Sequence, residues 1–61
     1  MTYAELIRLI KKQGVLFLEH GTKHDVYWNP QNGKDTQIPR HQSQEVKKGT
    51  LDKILEDLGL K

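Results

Sequence analysis

Three histidines, at positions 20, 24 and 41, are the side chains of this chain best suited to taking and giving a proton near neutral pH. There is no cysteine, so thiolate nucleophiles, disulfides and thiolate metal sites are all excluded. No serine or threonine sits in a G-x-S-x-G elbow, and no glycine-rich run can cradle a phosphate, which removes two further chemistries. His20 and His24 are four residues apart, but in a stretch that reads as a hairpin and without a cysteine or paired carboxylates to complete a shell. The spacing therefore points to unrelated histidines rather than to a metal site. Acid–base work is the chemistry that remains.

The stretch "HGTKHDVYW", residues 20–28, surrounds the middle histidine with useful neighbours. Lys23 directly precedes His24, Lys34 lies in the next turn, and Arg40 follows the third strand, so these cations could gather at one end of the hairpin. Such a cluster suits a phosphate. The rival reading is an ordinary solvated rim, because lysine and arginine occur on every protein surface. In an unbulged strand beginning at residue 24, His24 shares its face with Val26 and Trp28, while Asp25 and Tyr27 point the other way. Val26 and Trp28 are then expected in the core, with base stacking by Trp28 as the alternative. His24 would stand at the border where that core opens to solvent.

The elements that must position these residues follow from spacing. Thr2 followed three residues later by Glu5 is a capping box, and Tyr3, Leu6, Ile7 and Ile10 recur at helical spacing until Gly14. "VLFLEH" reads as a strand ended by Gly21, where a positive φ is sterically free. "HDVYW" is a second strand, and "NPQNG" a turn into a more polar third strand, "KDTQI", with Pro39 at its end. "RHQSQEVKKG" has no period and reads as a connection leading to Thr50, an expected N-cap. Leu51, Ile54, Leu55 and Leu58 form one apolar helical face, closed by Gly59 and Leu60. The order α-β-β-β-α predicts a two-layer α+β fold, in which two helices bury their stripes on one face of a three-stranded antiparallel sheet.

Sixty-one residues with ten Lys and Arg against eight Asp and Glu describe one domain, residues 1–61, near the lower size at which a chain folds unaided. The N-terminus lacks the basic start and unbroken apolar run of a signal peptide. No segment is long enough to span a membrane. A reducing cytoplasm suits a chain without cysteine.

With "AELIRLIKKQG" ahead of it, the remaining sequence resembles the HicA family of toxins, the ribonuclease half of HicA–HicB toxin–antitoxin pairs. The resemblance rests on Gly21, Thr22 and His24 in that spacing, on "IPRH" at 38–41 and on "GTLDKILEDLGL" at 49–60. It implies a fold like the double-stranded-RNA-binding domain and cleavage of mRNA without metal or cofactor. His24 would be the single catalytic residue. Many members carry a second histidine where this chain has Lys23.

Under that resemblance Lys23 and Arg40 are the candidates for holding the phosphate. Gly21, Thr22, Lys34 and His41 complete the expected RNA-binding set, although His41 serves equally as a structural contact at the end of the third strand. The implied partners are RNA and a HicB-type antitoxin. The mechanism expected is attack of the RNA 2′-hydroxyl on its own adjacent phosphate, with His24 moving the proton. Two readings from other classes stay open, an RNA-binding module without chemistry and a pure protein-interaction domain.

Overall fold

A computed structural model describes residues 1–61. Helix α1 covers Tyr3–Lys12, strands β1, β2 and β3 cover Leu16–His20, His24–Asn29 and Lys34–Pro39, and helix α2 covers Lys48–Asp57. The strands form one antiparallel sheet in the order β1-β2-β3, which makes the α+β order α-β-β-β-α read from the sequence the observed one.

The start of α1 shows how a short chain satisfies its backbone. The Glu5 N–H donates to Thr2 Oγ1 at 3.2 Å, and the Thr2 N–H donates back to Glu5 Oε1 at 2.8 Å, the reciprocal pairing of a capping box. The Tyr3 and Ala4 N–H groups donate to the carbonyls of Gln44 and Gln42, each at 3.0 Å. The connection after β3 therefore caps the first helix, which gives this aperiodic stretch a structural task. At the other end Gly14 takes a φ of 94°, and Val15 N–H reaches back to Ile10 O at 3.1 Å, closing α1 as a Schellman turn.

Tyr3, Leu6, Ile10 and Val15 meet Tyr27 and Ile38 of the sheet, Ile54 of α2 and its C-cap Leu58 in the buried core. On the sheet the buried side chains are Tyr27, Asn29, Thr36 and Ile38. With Tyr27 opposite Thr36 and Asp25 opposite Ile38, all of these lie on the face that the helices cover. His24, Val26 and Trp28 consequently occupy the opposite, open face.

This corrects the core expected from sequence. Val26 and Trp28 are only half-buried and stand outside the core cluster, while Tyr27 takes the interior place. The parity grouping holds, and it is the set of Tyr27 and Asn29 that faces the interior. Inward orientation is set by Ile38 and Thr36 through the register of the β2–β3 hairpin, and it outweighs the larger apolar surface of Trp28. The cost of turning Asn29 inward is met by hydrogen bonds: its Nδ2 donates to Leu58 O at 2.8 Å and its Oδ1 accepts from Gln31 N–H at 3.1 Å, so a fully buried amide is satisfied.

Helix α2 starts two residues before Thr50, at Lys48, with Lys47 as N-cap and no side-chain hydrogen bond there. Thr50 is therefore inside the helix rather than capping it. The expected C-terminal closure is present: Gly59 has a φ of 72°, and Leu60 N–H donates to Leu55 O at 2.8 Å. Strand β1 is exposed along its length and carries a bulge at Leu18 between the Phe17–Tyr27 and Glu19–Val26 pairs. No helix is long and apolar enough to cross a membrane.

Candidate active site

His24 is the first residue of β2 and pairs with Pro39, the last of β3. Its position is set by the turn before it. The Gly21 N–H donates to the His24 carbonyl at 2.7 Å, so the backbone closes tightly on the residue that carries the imidazole. Gly21 is not in the left-handed region, contrary to the conformational reason expected from sequence. Its requirement is steric: a Cβ at this position would stand 2.6 Å from the His24 carbonyl oxygen.

Arg40, the residue after β3, locks this turn. Its Nη1 donates to Gly21 O at 3.0 Å and to Asp25 Oδ1 at 2.8 Å, and its Nη2 donates to Thr22 O at 2.8 Å. Three of the guanidinium's five N–H donors are thereby committed to protein acceptors. Asp25 Oδ1 also meets His20 Nδ1 at 2.7 Å, and the Phe17 ring lies 4.8 Å from the His20 ring, tilted by 59°. The hydrogen bond from Arg40, and next the one with His20, hold the Asp25 carboxyl below its ordinary range. The result is a charged clasp that fixes residues 21–25 from the helix-side face of the sheet.

On the open side, Gly21, Thr22, Lys23, His24, Val26 and Gln37 line a cavity of about 340 Å³. The His24 ring makes no hydrogen bond within the protein, and Lys23 forms no ion pair, so both are available to a bound group. A second groove of about 500 Å³ runs between β3 and α2, and His24 and Gln37 line it as well. In that groove Asp57 accepts from Lys53 at 3.0 Å and from Thr36 at 3.1 Å. The ammonium of Lys53, followed by the Thr36 hydroxyl, lowers the Asp57 carboxyl's affinity for a proton.

The remaining residues named from sequence lie elsewhere. His20 and His41 share a different cleft with Asp25 and Arg40, and by register His20 is on the opposite face of the sheet from His24. Lys34 pairs with Asn29, five residues along the strands from the His24–Pro39 pair, or about 17 Å at ordinary strand rise. The expected gathering of cations at one hairpin end thus includes Lys23 and Arg40 but not Lys34. No three His, Asp or Glu side chains come together as a metal site would need.

Gln37 joins the site without a signal in the sequence. Nothing in its type or neighbours distinguishes it, but the four-residue turn "PQNG" pairs Asn29 with Lys34 and so sets Gln37 opposite Val26, on the face of His24. Chemically, the site offers a partly exposed imidazole, a free ammonium beside it and an uncharged amide across the strand. That combination can move a proton next to a bound anion.

No curated protein and no solved structure matches the chain closely enough to be informative. The family described as HicA toxin of bacterial toxin–antitoxin matches residues 3–60 of the 61. Together with the α-β-β-β-α fold, that match over almost the whole length places this chain in the HicA toxin family, as the toxin of a toxin–antitoxin system.

Proposed function

We propose that this toxin is a metal-independent endoribonuclease that cleaves mRNA, with His24 as its catalytic residue and a HicB-type antitoxin as the partner that neutralises it. The observation that carries the reading is the shared cavity of His24 and Lys23, in which neither side chain has a protein partner. His20, by contrast, is paired with Asp25 at 2.7 Å.

In the proposed reaction the imidazole of His24 accepts the proton of the RNA 2′-hydroxyl. The 2′-oxygen forms a bond to the adjacent phosphorus, the bond from phosphorus to the 5′-oxygen breaks, and water protonates the leaving oxygen. The products are a 2′,3′-cyclic phosphate and a 5′-hydroxyl. DNA lacks the attacking group and is spared. Lys23 neutralises charge on the phosphate as it becomes pentacoordinate, and the Gly21–Thr22 backbone shapes the wall beside it. Arg40 contributes chiefly by holding that turn, since most of its donors face Gly21, Thr22 and Asp25. His20 and His41 line a separate cleft, which favours water over a second imidazole as the proton source.

The test is incubation of purified protein with RNA in EDTA. Cleavage that persists, ending in 2′,3′-cyclic phosphate, is expected of the wild type. His24→Ala should lower the rate by about 10²–10⁴-fold without lowering the melting temperature. RNA retained without cleavage by the wild type would replace the nuclease reading with that of an RNA-binding module.

A further inference from the structure

We infer that Gln37 is a second substrate-contacting residue, whose amide donates to a non-bridging oxygen of the phosphate that His24 acts beside. This inference rests on the proposed ribonuclease reading and deepens it.

Three observations converge on this residue. By register Gln37 faces Val26 and is the diagonal neighbour of His24 across the β2–β3 pair, on the same open face of the sheet, a separation that long side chains bridge. Gln37 and His24 are also the two residues common to the 340 Å³ cavity and the 500 Å³ groove. A chain running from one depression into the other would therefore have both side chains within reach. Finally, Gln37 is exposed and its amide makes no hydrogen bond within the protein, so its donors are unspent.

The chemistry suits a phosphate at that junction. A carboxamide offers two N–H donors and carries no charge, so it can bind an anionic oxygen without altering the charge beside His24. As the phosphorus becomes pentacoordinate, negative charge builds on its non-bridging oxygens, where a fixed donor is worth more than in the ground state. Lys23 approaches the same phosphate from the turn, and Gln37 approaches from β3. The reacting group is then held between two donors on different elements, with the imidazole beside it. The nucleotides on either side of the bond fall into the two depressions.

The experiment compares wild type, Gln37→Ala and Gln37→Glu on a short single-stranded RNA in EDTA, measuring kcat and KM separately. Binding of the same oligonucleotide with a 2′-deoxy nucleotide at the cleavage position is measured alongside. Gln37→Ala should lower kcat/KM about tenfold, mostly in kcat, as expected for a donor used in the transition state. Gln37→Glu should fall about tenfold further and bind the uncleavable RNA more weakly, because a carboxylate then faces the phosphate. Both variants should melt with the wild type, since the side chain is exposed; if the charge in Gln37→Glu lowers the melting temperature, Gln37→Ala decides. Cleavage by both variants at the wild-type rate overturns this inference and leaves the nuclease reading standing. A wild type that does not cleave RNA overturns both.

Discussion

Replacing Gly21 with alanine should displace His24, and the size of the effect can be worked from the turn geometry. The new Cβ would meet the His24 carbonyl oxygen at 2.6 Å, whereas real Cβ atoms essentially never approach below 3.0 Å, and ordinary contact begins at 3.4 Å. The two backbones must therefore separate by roughly 0.4–0.8 Å, which stretches the 2.7 Å hydrogen bond from Gly21 N–H to that same oxygen. Relief by a flexible side chain is not available, because the opposing atom is backbone and Arg40 anchors Gly21 O and Thr22 O from the other side.

Overpacking of this kind costs about 1–3 kcal/mol, offset by about 0.4–1 kcal/mol from the smaller entropy of the unfolded chain. At the middle of both ranges the net loss is about 1.3 kcal/mol, which corresponds to a melting temperature lower by about 5–10 °C in a domain of this size. On the proposed nuclease reading His24 is the catalytic group, and a displacement of up to about 1 Å can lower a rate about 100-fold, so cleavage should fall by about 10–100-fold. Thermal unfolding by circular dichroism and the RNA cleavage rate measure the two effects. Gly49→Ala is the matched control: nothing lies within 4 Å of its Cβ position, it sits inside α2, and the helix should gain about 0.5–1 kcal/mol. If Gly21→Ala melts at or above the wild type and cleaves as fast, the steric argument for this turn is wrong.

Further outcomes follow from the buried and charged contacts. Asn29→Ala should cost about 1–3 kcal/mol, since it removes the donor to Leu58 O and the acceptor for Gln31 N–H. Asn29→Asp should cost more at pH 7, because a carboxylate faces that carbonyl. Its penalty should shrink below about pH 4, where the introduced carboxyl is neutral in both folded and unfolded chains; a penalty independent of pH would contradict this in urea titrations. Asp25 has a lowered proton affinity in the folded chain, so its contribution to stability is complete above the unfolded pKa and is lost as pH falls through the folded one. The melting-temperature gap between wild type and Asp25→Asn should therefore close on acidification below about pH 4, and a gap unchanged from pH 7 to pH 3 would count against the clasp. Arg40→Lys keeps the charge but loses the fork, so cleavage should fall as far as in Arg40→Ala; full activity of the lysine variant would assign Arg40 to the phosphate instead.

Local signals carried much of the fold. The Thr2–Glu5 box, the spacing of Leu6 and Ile10, and the turn residues at 14, 33 and 59 each act within a few neighbours, so their consequences are visible in the linear chain. The start of α2 was misread because Thr50 is a favourable N-cap type, whereas the helix begins at Lys48 without any side-chain cap. Which face of β2 turns inward was misread for a different reason. Trp28 and Val26 outrank Tyr27 and Asn29 in apolarity, but the decision lies in pairing with β3, where only Thr36 and Ile38 suit an interior and their partners are Tyr27 and Asp25.

The sequence by itself determined the order of elements, and residue types with family resemblance single out His24 among three histidines as the catalytic candidate. Tertiary structure decided who stands beside it. The register of a four-residue turn carried Lys34 to the far end of the sheet and brought Gln37 diagonally across from His24. The reach of Arg40 from just beyond β3 clasps the Gly21–Asp25 segment, a structural task that its residue type alone does not announce. These relations join residues separated by 13 to 19 positions. Distance in space between such residues depends on strand pairing, which no single residue type encodes.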